Sequence, residues 1–313
     1  MTCDRHFRSL IHPAACLALV VAVLLLSSGA AFGQELEPRA YSISPVGVNF
    51  VVAAFTRSSG DVNFDPSLPV ENVQAGIQSF SVGYFRSIDF FGRSANVSVL
   101  VPYVWGTLDG DYFGEYTKIR RSGLSDPFCR FAVNLYGAPA MDVKEFAGFT
   151  KKTIVGASVT VSAPLGQYDP AKVVNLGGNR WSIKPEVGLS RTFGKCFVDV
   201  YGGVRFYTAN DDFQGRTRKQ DPVGSVQFHA GYNFKPRLWL AGNANFYWGG
   251  RSSINDIPKF DRLQNSRAGV TLSVPVDRHN SIKFNVSESI TQSVGGNFLS
   301  LGVAYQYAWG GKR

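Results

Sequence analysis

The chain has 313 residues, of which 44% are hydrophobic, 13% aromatic and only 18% charged, with 33 glycines. This length suits one large domain, and the abundance of Gly, Val, Phe, Tyr and Asn favours β-structure over helix. The formal net charge is +9, but basic and acidic residues are mixed within the same polar connections, which argues against a nucleic-acid partner.

Residues 1–33 have the pattern of a cleaved signal peptide. Arg5 and Arg8 precede an apolar run at residues 14–26, and Ala31-Phe32-Gly33 offers small residues at both recognition positions. The apolar run is too short for a membrane-spanning helix, which needs about 20 residues. We therefore expect export, cleavage before Gln34, and a mature domain at residues 34–313.

The mature chain is predicted to form twelve β-strands. No later stretch approaches 18 uninterrupted apolar residues, so a membrane domain in this chain must be a barrel. Alternation of apolar and polar residues places the strands at about 46–56, 72–90, 95–105, 129–136, 155–161, 181–190, 198–207, 226–234, 238–248, 269–276, 282–290 and 299–309.

The first two strands are less regular than the others. Val48, Phe50 and Val52 predict that the even-numbered residues of the first strand face lipid. In the second strand the apolar residues are odd-numbered up to Ile77 and even-numbered from Phe80. A β-bulge near Gln78 is the predicted cause.

The connections between strands alternate between long and short. Phe91-Gly92-Arg93 and Phe193-Gly194-Lys195 are short turns, whereas residues 107–125 and 209–222 form long polar connections. Residues 137–151 break this rhythm, because the connection should be short and is not. Met141 to Phe146 is predicted to form a turn or two of helix there.

The closing strand alternates without exception. Leu299, Leu301, Val303, Tyr305, Tyr307 and Trp309 share one face, and the residues between them are small or polar. About 9 to 11 residues of such alternation is the length that a tilted barrel strand needs to cross a bilayer.

The sequence therefore predicts an all-β fold: a single antiparallel transmembrane β-barrel of about 12 strands in the outer membrane, with both termini periplasmic. Its expected partners are outer-membrane lipid and the barrel-assembly machinery that inserts it. The oligomeric state is left open.

The strand phases also predict which charged and polar side chains face the lumen. The candidates for lumen-lining residues are Arg130, Lys184, Glu186, Asp199, Arg205, His229 and Lys283. One interpretation is a channel lining that selects small solutes. The other is a set of structural ion pairs, such as Lys184 or Arg205 with Glu186 or Asp199, because buried charges are costly unless paired.

Catalysis finds little support in the sequence. After signal removal only His229 and His279 remain, and neither has a Ser or Cys partner at an interpretable spacing. The sequence also lacks metal-ligand spacings and a Gly-rich phosphate loop. We expect no enzyme activity, no metal and no cofactor.

Several segments resemble one bacterial family, the putative MetA-pathway of phenol degradation proteins. They are Ser125-Asp126-Pro127 with residues 130–139, Ser162-Ala163-Pro164 with residues 165–168, Asn179-Arg180-Trp181 with residues 182–186, and Pro275-Val276-Asp277 with residues 278–283. The resemblance covers nearly the whole mature chain. It implies an outer-membrane, transporter-like barrel and a link to the breakdown of aromatic compounds, and it supplies no catalytic residues.

The expected function is an outer-membrane channel that passes small hydrophobic or aromatic compounds. The alternative is a non-conducting barrel that is structural or binds ligands through its long extracellular loops. Twelve strands enclose a narrow bore that side chains can fill. Whether the lumen is open or filled therefore separates the two functions.

Overall fold

The computed structural model describes residues 37–63, 70–112, 114–150, 153–172 and 174–311. The predicted signal peptide, residues 1–33, lies outside these ranges. The strands are β1 Val48–Asn63, β2 Val70–Phe90, β3 Arg93–Tyr112, β4 Glu115–Leu124, β5 Phe128–Tyr136, β6 Thr153–Ser162, β7 Ser182–Phe193, β8 Cys196–Tyr207, β9 Asn210–Phe213, β10 Arg216–Gln220, β11 Val223–Lys235, β12 Leu238–Gly249, β13 Ser252–Ile254, β14 Ile257–Pro258, β15 Leu263–Pro275, β16 Asn280–Thr291 and β17 Gly295–Gly310, and helix α1 is Val143–Gly148.

Twelve of these strands close into one antiparallel barrel. Around the barrel they follow the order β1, β2, β3, β5, β6, β7, β8, β11, β12, β15, β16 and β17, and β17 pairs with β1. Because lipid cannot hydrogen-bond the backbone, each strand needs a partner on both sides, and closure supplies it. The prediction of a 12-stranded antiparallel barrel is confirmed.

The outer surface of the barrel is apolar. On β17, Leu301, Val303 and Tyr305 are exposed, whereas the inward-facing Ser300 is buried. Trp105, Trp248 and Trp309 also point outward, as their place in the alternation requires. This exterior, apolar and ending in aromatic residues, is the one that a bilayer-spanning barrel presents to lipid.

The predicted orientation of β1 was wrong. Val51 pairs with Tyr84 and Tyr307, which both face outward, so the odd-numbered residues of β1 face lipid. Phe50 and Val52 therefore point into the lumen. Apolar residues occur in both phases of this strand, so alternation alone did not determine its orientation.

The predicted bulge near Gln78 is also absent from the β1–β2 pairing, which runs in register from Asn49–Arg86 to Asp61–Gln74. Val73 and Ala75 point inward and are buried, while Phe80 and Val82 point outward. This end of β2 extends beyond the membrane, where lipid no longer requires apolar residues on the outer face. The hydrophobic residues therefore change face while the register with β1 continues, and the register with β3 shifts only between Glu71 and Gln74.

The ends of the strands opposite the termini form an extracellular cap. β4 pairs with the outer half of β3, and β9, β10, β13 and β14 form a separate four-stranded sheet. Much of what the sequence presented as long loops is therefore strand. Residues 164–172 and 174–178 contact these elements, and the Asp126 carboxylate accepts hydrogen bonds from the backbone N–H groups of Gly166 (2.9 Å) and Gly178 (2.7 Å).

We predict that Val303→Arg destabilises the folded protein by about 2–4 kcal/mol, since the residue lies between Phe55 and Phe284 on the lipid face. Urea unfolding in phospholipid vesicles measures this. The matched control is Gln74→Arg, because Gln74 also points outward but pairs with Asp61 and Asp109 near the outer ends of the strands. An equal loss in the two variants would contradict the assignment of the lipid face.

Candidate functional site

The lumen of the barrel is partly filled by the chain that precedes β1. This N-terminal plug, residues 37–47, folds back from the periplasmic rim into the barrel. The backbone N–H of Arg39 donates to Asp199 Oδ2 at 3.0 Å, and the Arg39 guanidinium donates to Asn233 Oδ1 at 2.7 Å. The same guanidinium lies 4.8 Å from the ring centroid of Phe197. Residues from several wall strands therefore hold the plug.

Tyr41 is the central anchor of the plug. Its ring lies between Gly156 and Gly188, which face each other on β6 and β7; a Cβ atom on either glycine would lie 2.2 Å from the ring. Its edge meets the ring of Tyr201 at a centroid distance of 5.1 Å. The two glycines therefore form a slot in the wall, and any residue larger than glycine at either position would fill the space that the Tyr41 ring occupies.

A buried ion cluster surrounds the Tyr41 hydroxyl. Glu186 forms an ion pair with Lys184 at 2.9 Å, and its other carboxylate oxygen lies 3.8 Å from a guanidinium nitrogen of Arg130. The Tyr41 hydroxyl donates to Glu186 Oε1 at 3.2 Å and lies 3.0 Å from Ser158 Oγ. The pair of Lys184 with Glu186 is one of the ion pairs that the structural interpretation named, and Arg130, which was not among them, joins it. Here the three side chains contact one another, and Glu186 also binds the plug.

Asp199 and His229 occupy a second polar layer. Both side chains are buried, and Asp199 is bound by the backbone of the plug. His229 Nδ1 lies 2.8 Å from Asn243 Oδ1, and Asn243 in turn donates to Thr271 Oγ1 at 3.0 Å. This histidine is hydrogen-bonded to an amide, as expected of a structural residue of the wall.

Arg205 and Lys283 differ from the other predicted lumen residues because they are only half-buried. Arg205 donates to Ser182 Oγ at 3.1 Å. Lys283 points inward from β16 beside Ala304, and Glu37 and Arg39 of the plug act on it electrostatically. The seven predicted residues all face the lumen, but they line different parts of it.

The described part of the long connection after β5, residues 137–150, closes the periplasmic end. Its predicted helix is confirmed as α1, which begins with a capping box between Asp142 and Glu145. Met141 packs with Tyr41 and Ile43 of the plug in one apolar cluster. The connection is long because it fills the barrel mouth together with the plug.

The lumen side of β1 and β3 carries an apolar surface. This open wall consists of inward-facing side chains that remain half-buried: Phe50, Val52, Ala54, Leu100, Pro102 and Val104. The neighbouring inward residues of β17 are small, among them Gly302 and Ala304. The side chains that fill the other half are polar and buried. The open wall is therefore an apolar part of the lumen lining.

Sequence reasoning missed the plug, the open wall and Arg267. Arg267 is buried on β15, where it donates to Ser287 Oγ at 2.9 Å. It lies two residues before the predicted start of its strand. The inward-facing pair Gly156 and Gly188 was the available signal for the plug, because glycines facing one another on neighbouring strands leave room for a chain segment.

Within the described ranges, no group of three or more His, Cys, Asp or Glu side chains is arranged to hold a metal ion. No helix in the same part of the chain is long and apolar enough to cross a membrane.

Comparisons with known proteins agree on the barrel. The model of the family described as putative MetA-pathway of phenol degradation matches residues 56–307. The COG4313 outer membrane channel from Pseudomonas putida F1 has 21% identity and a TM-score of 0.73, covering 88% of this chain and 100% of its own. The transport unit of the autotransporter AIDA-I from Escherichia coli has 10% identity and a TM-score of 0.52, covering 93% and 97%. No curated protein matches the sequence.

We predict that Gly188→Val displaces Tyr41 and releases the plug, because the new side chain would occupy the position of the ring. Single-channel conductance should rise several-fold, and trypsin should cleave after Arg39 in the folded barrel. Gly202→Val is the matched control, since a Cβ at Gly202 meets nothing within 4 Å. Unchanged conductance and an intact N-terminus in Gly188→Val would contradict the role of the slot.

Proposed function

Because the chain belongs to the putative MetA-pathway of phenol degradation family, we propose that it is an outer-membrane channel for small, largely apolar compounds. The outer membrane is its location, as the closed barrel with a lipid-facing apolar exterior requires. A compound would move beside the plug, along the open wall.

The open wall is the observation that carries this proposal. Val52, Leu100 and Val104 point into the lumen and remain partly exposed there. A channel for hydrophilic solutes gains nothing from such a surface, whereas transfer of an apolar solute from water to it is favourable by about 25 cal/mol per Å² of buried apolar area. The fold shared with an outer membrane channel supports the same conclusion.

The polar lumen residues have a different task in this proposal. Arg130, Lys184, Glu186, Asp199 and His229 hold the plug and fill one half of the barrel, so they narrow the passage. Arg205 and Lys283 line the part that stays partly open. We assign no catalytic role to any of these side chains.

Export and assembly complete the proposal. Residues 1–33 act as the signal peptide, and residues 34–313 form the mature domain, inserted by the barrel-assembly machinery. Insertion as a barrel is supported by β17, the strand that closes the barrel. Its outward face is apolar and ends in Tyr305, Tyr307 and Trp309.

We predict that Leu100→Asn with Val104→Asn reduces the flux of a small aromatic solute several-fold, because both side chains lie on the open wall. Flux of benzyl alcohol into proteoliposomes measures this. Leu301→Val with Val303→Leu, which keeps the lipid face apolar, is the control. Equal flux through all three proteins would refute passage along the open wall.

We predict that protein isolated from outer membranes begins at Gln34, as N-terminal sequencing or intact-mass measurement would show. Glu37 lies within the plug, only three residues further on. Recovery of a folded barrel that retains residues 1–33 would contradict the assignment of the signal peptide.

A further inference from the structure

The charges that face the lumen are unbalanced. Among the described residues of the barrel strands and the plug, six inward-facing side chains are cationic and four are carboxylates. The cations are Arg39, Arg130, Lys184, Arg205, Arg267 and Lys283, and the carboxylates are Glu37, Asp89, Glu186 and Asp199. The excess is two positive charges, so the lumen attracts anions.

Most of these cations form ion pairs or hydrogen bonds with other side chains of the protein. Lys184 and Arg130 share Glu186, and Arg267 donates to Ser287. Lys283 is different: within the described part of the chain its ammonium has no hydrogen bond and no carboxylate within 4.0 Å. Glu37 acts on it from the plug, but the same carboxylate also acts on Arg130.

Lys283 stands at the edge of the open wall. Across the ladder it pairs with Ala304, which pairs with Ala54, which leads through Ser81 to Pro102. Neighbouring strands lie about 4.8 Å apart, so the apolar surface of Ala304 and Ala54 begins about 5–10 Å from the base of the Lys283 side chain. That distance is about the length of a molecule with one aromatic ring and one charged group.

A second polar group lies beside Lys283 on the same strand. The Asn285 amide reaches across Gly302 of β17, where a Cβ atom would lie 2.1 Å from Asn285 Oδ1. The inward face of Gly302 is thus covered by an amide that can donate hydrogen bonds. An ammonium and an amide next to each other form a favourable site for a carboxylate, and both border an apolar surface.

From this arrangement we infer that the channel selects small aromatic or aliphatic monocarboxylates over neutral compounds of the same shape, with Lys283 and Asn285 receiving the carboxylate and the open wall receiving the apolar body. This inference rests on the proposed function and narrows its substrate class. A neutral hydrocarbon would use the wall alone and leave the Lys283 ammonium without a counter-ion.

The test compares benzoate with benzamide, its neutral analogue of nearly equal shape. Binding to the purified full-length protein and flux into proteoliposomes are measured for wild type, Lys283→Met and Lys283→Arg. We expect wild type to prefer benzoate by about tenfold or more, as for a hydrogen bond to a charged group. Lys283→Met should abolish that preference, and Lys283→Arg should retain it.

Lys118→Met is the matched control, since it removes the same charge from the extracellular strand β4, where Lys118 is exposed. It should behave as wild type. If benzoate and benzamide pass equally well in wild type and in Lys283→Met, the inference is wrong and the proposed channel function stands. If neither compound passes through wild type, the proposed function itself fails.

Discussion

The structure depends on the backbone groups that face lipid, each of which must find a hydrogen-bond partner within the protein. Closure of twelve strands meets this requirement, and β17 pairs with β1 over sixteen residues. The position of Pro102 follows the same constraint. The pairing of β3 with β5 ends at Leu100, and its pairing with β4 begins at Tyr103. Proline has no N–H to donate, and it occurs where the neighbouring strand changes.

Closure leaves the lumen free of that constraint, and the chain uses the two halves of the lumen differently. The polar half is buried because the plug supplies partners for its charges: Arg39 binds Asp199, and Tyr41 binds Glu186. The open wall needs no such partners, because the side chains of Leu100 and Val104 have no hydrogen-bond donors or acceptors. The plug consequently packs against the polar half, and the remaining space is apolar.

Sequence reasoning predicted what alternation controls. Strands such as β17, with Leu301, Val303 and Tyr305 outward, were predicted in number, order and orientation because lipid demands an apolar face. The orientation of β1 was missed because its lumen face is also apolar, with Phe50 and Val52. The outer half of β2 was misread because lipid no longer selects its outward residues there.

The candidate site was harder to predict than the barrel. Charged residues at alternating positions, among them Lys184 and Glu186, were assigned to the lumen, and both side chains are buried. The partners that the plug supplies could not be inferred, because Arg39 and Tyr41 precede the barrel in a segment without alternation. Contacts between residues more than a hundred positions apart, such as Tyr41 with Ser158, depend on how the plug folds back.

Plug and wall are therefore one electrostatic unit. Glu186 is shared by Lys184 and Arg130, and the Tyr41 hydroxyl adds a neutral donor to the same carboxylate. A plug residue with a further positive charge in place of Tyr41 would increase the cationic excess, whereas a carboxylate there would repel Glu186. The neutral Tyr41 hydroxyl donates a hydrogen bond to Glu186 without changing the net charge of the cluster. Lys283 lies outside this cluster, beside the apolar surface where a solute would lie.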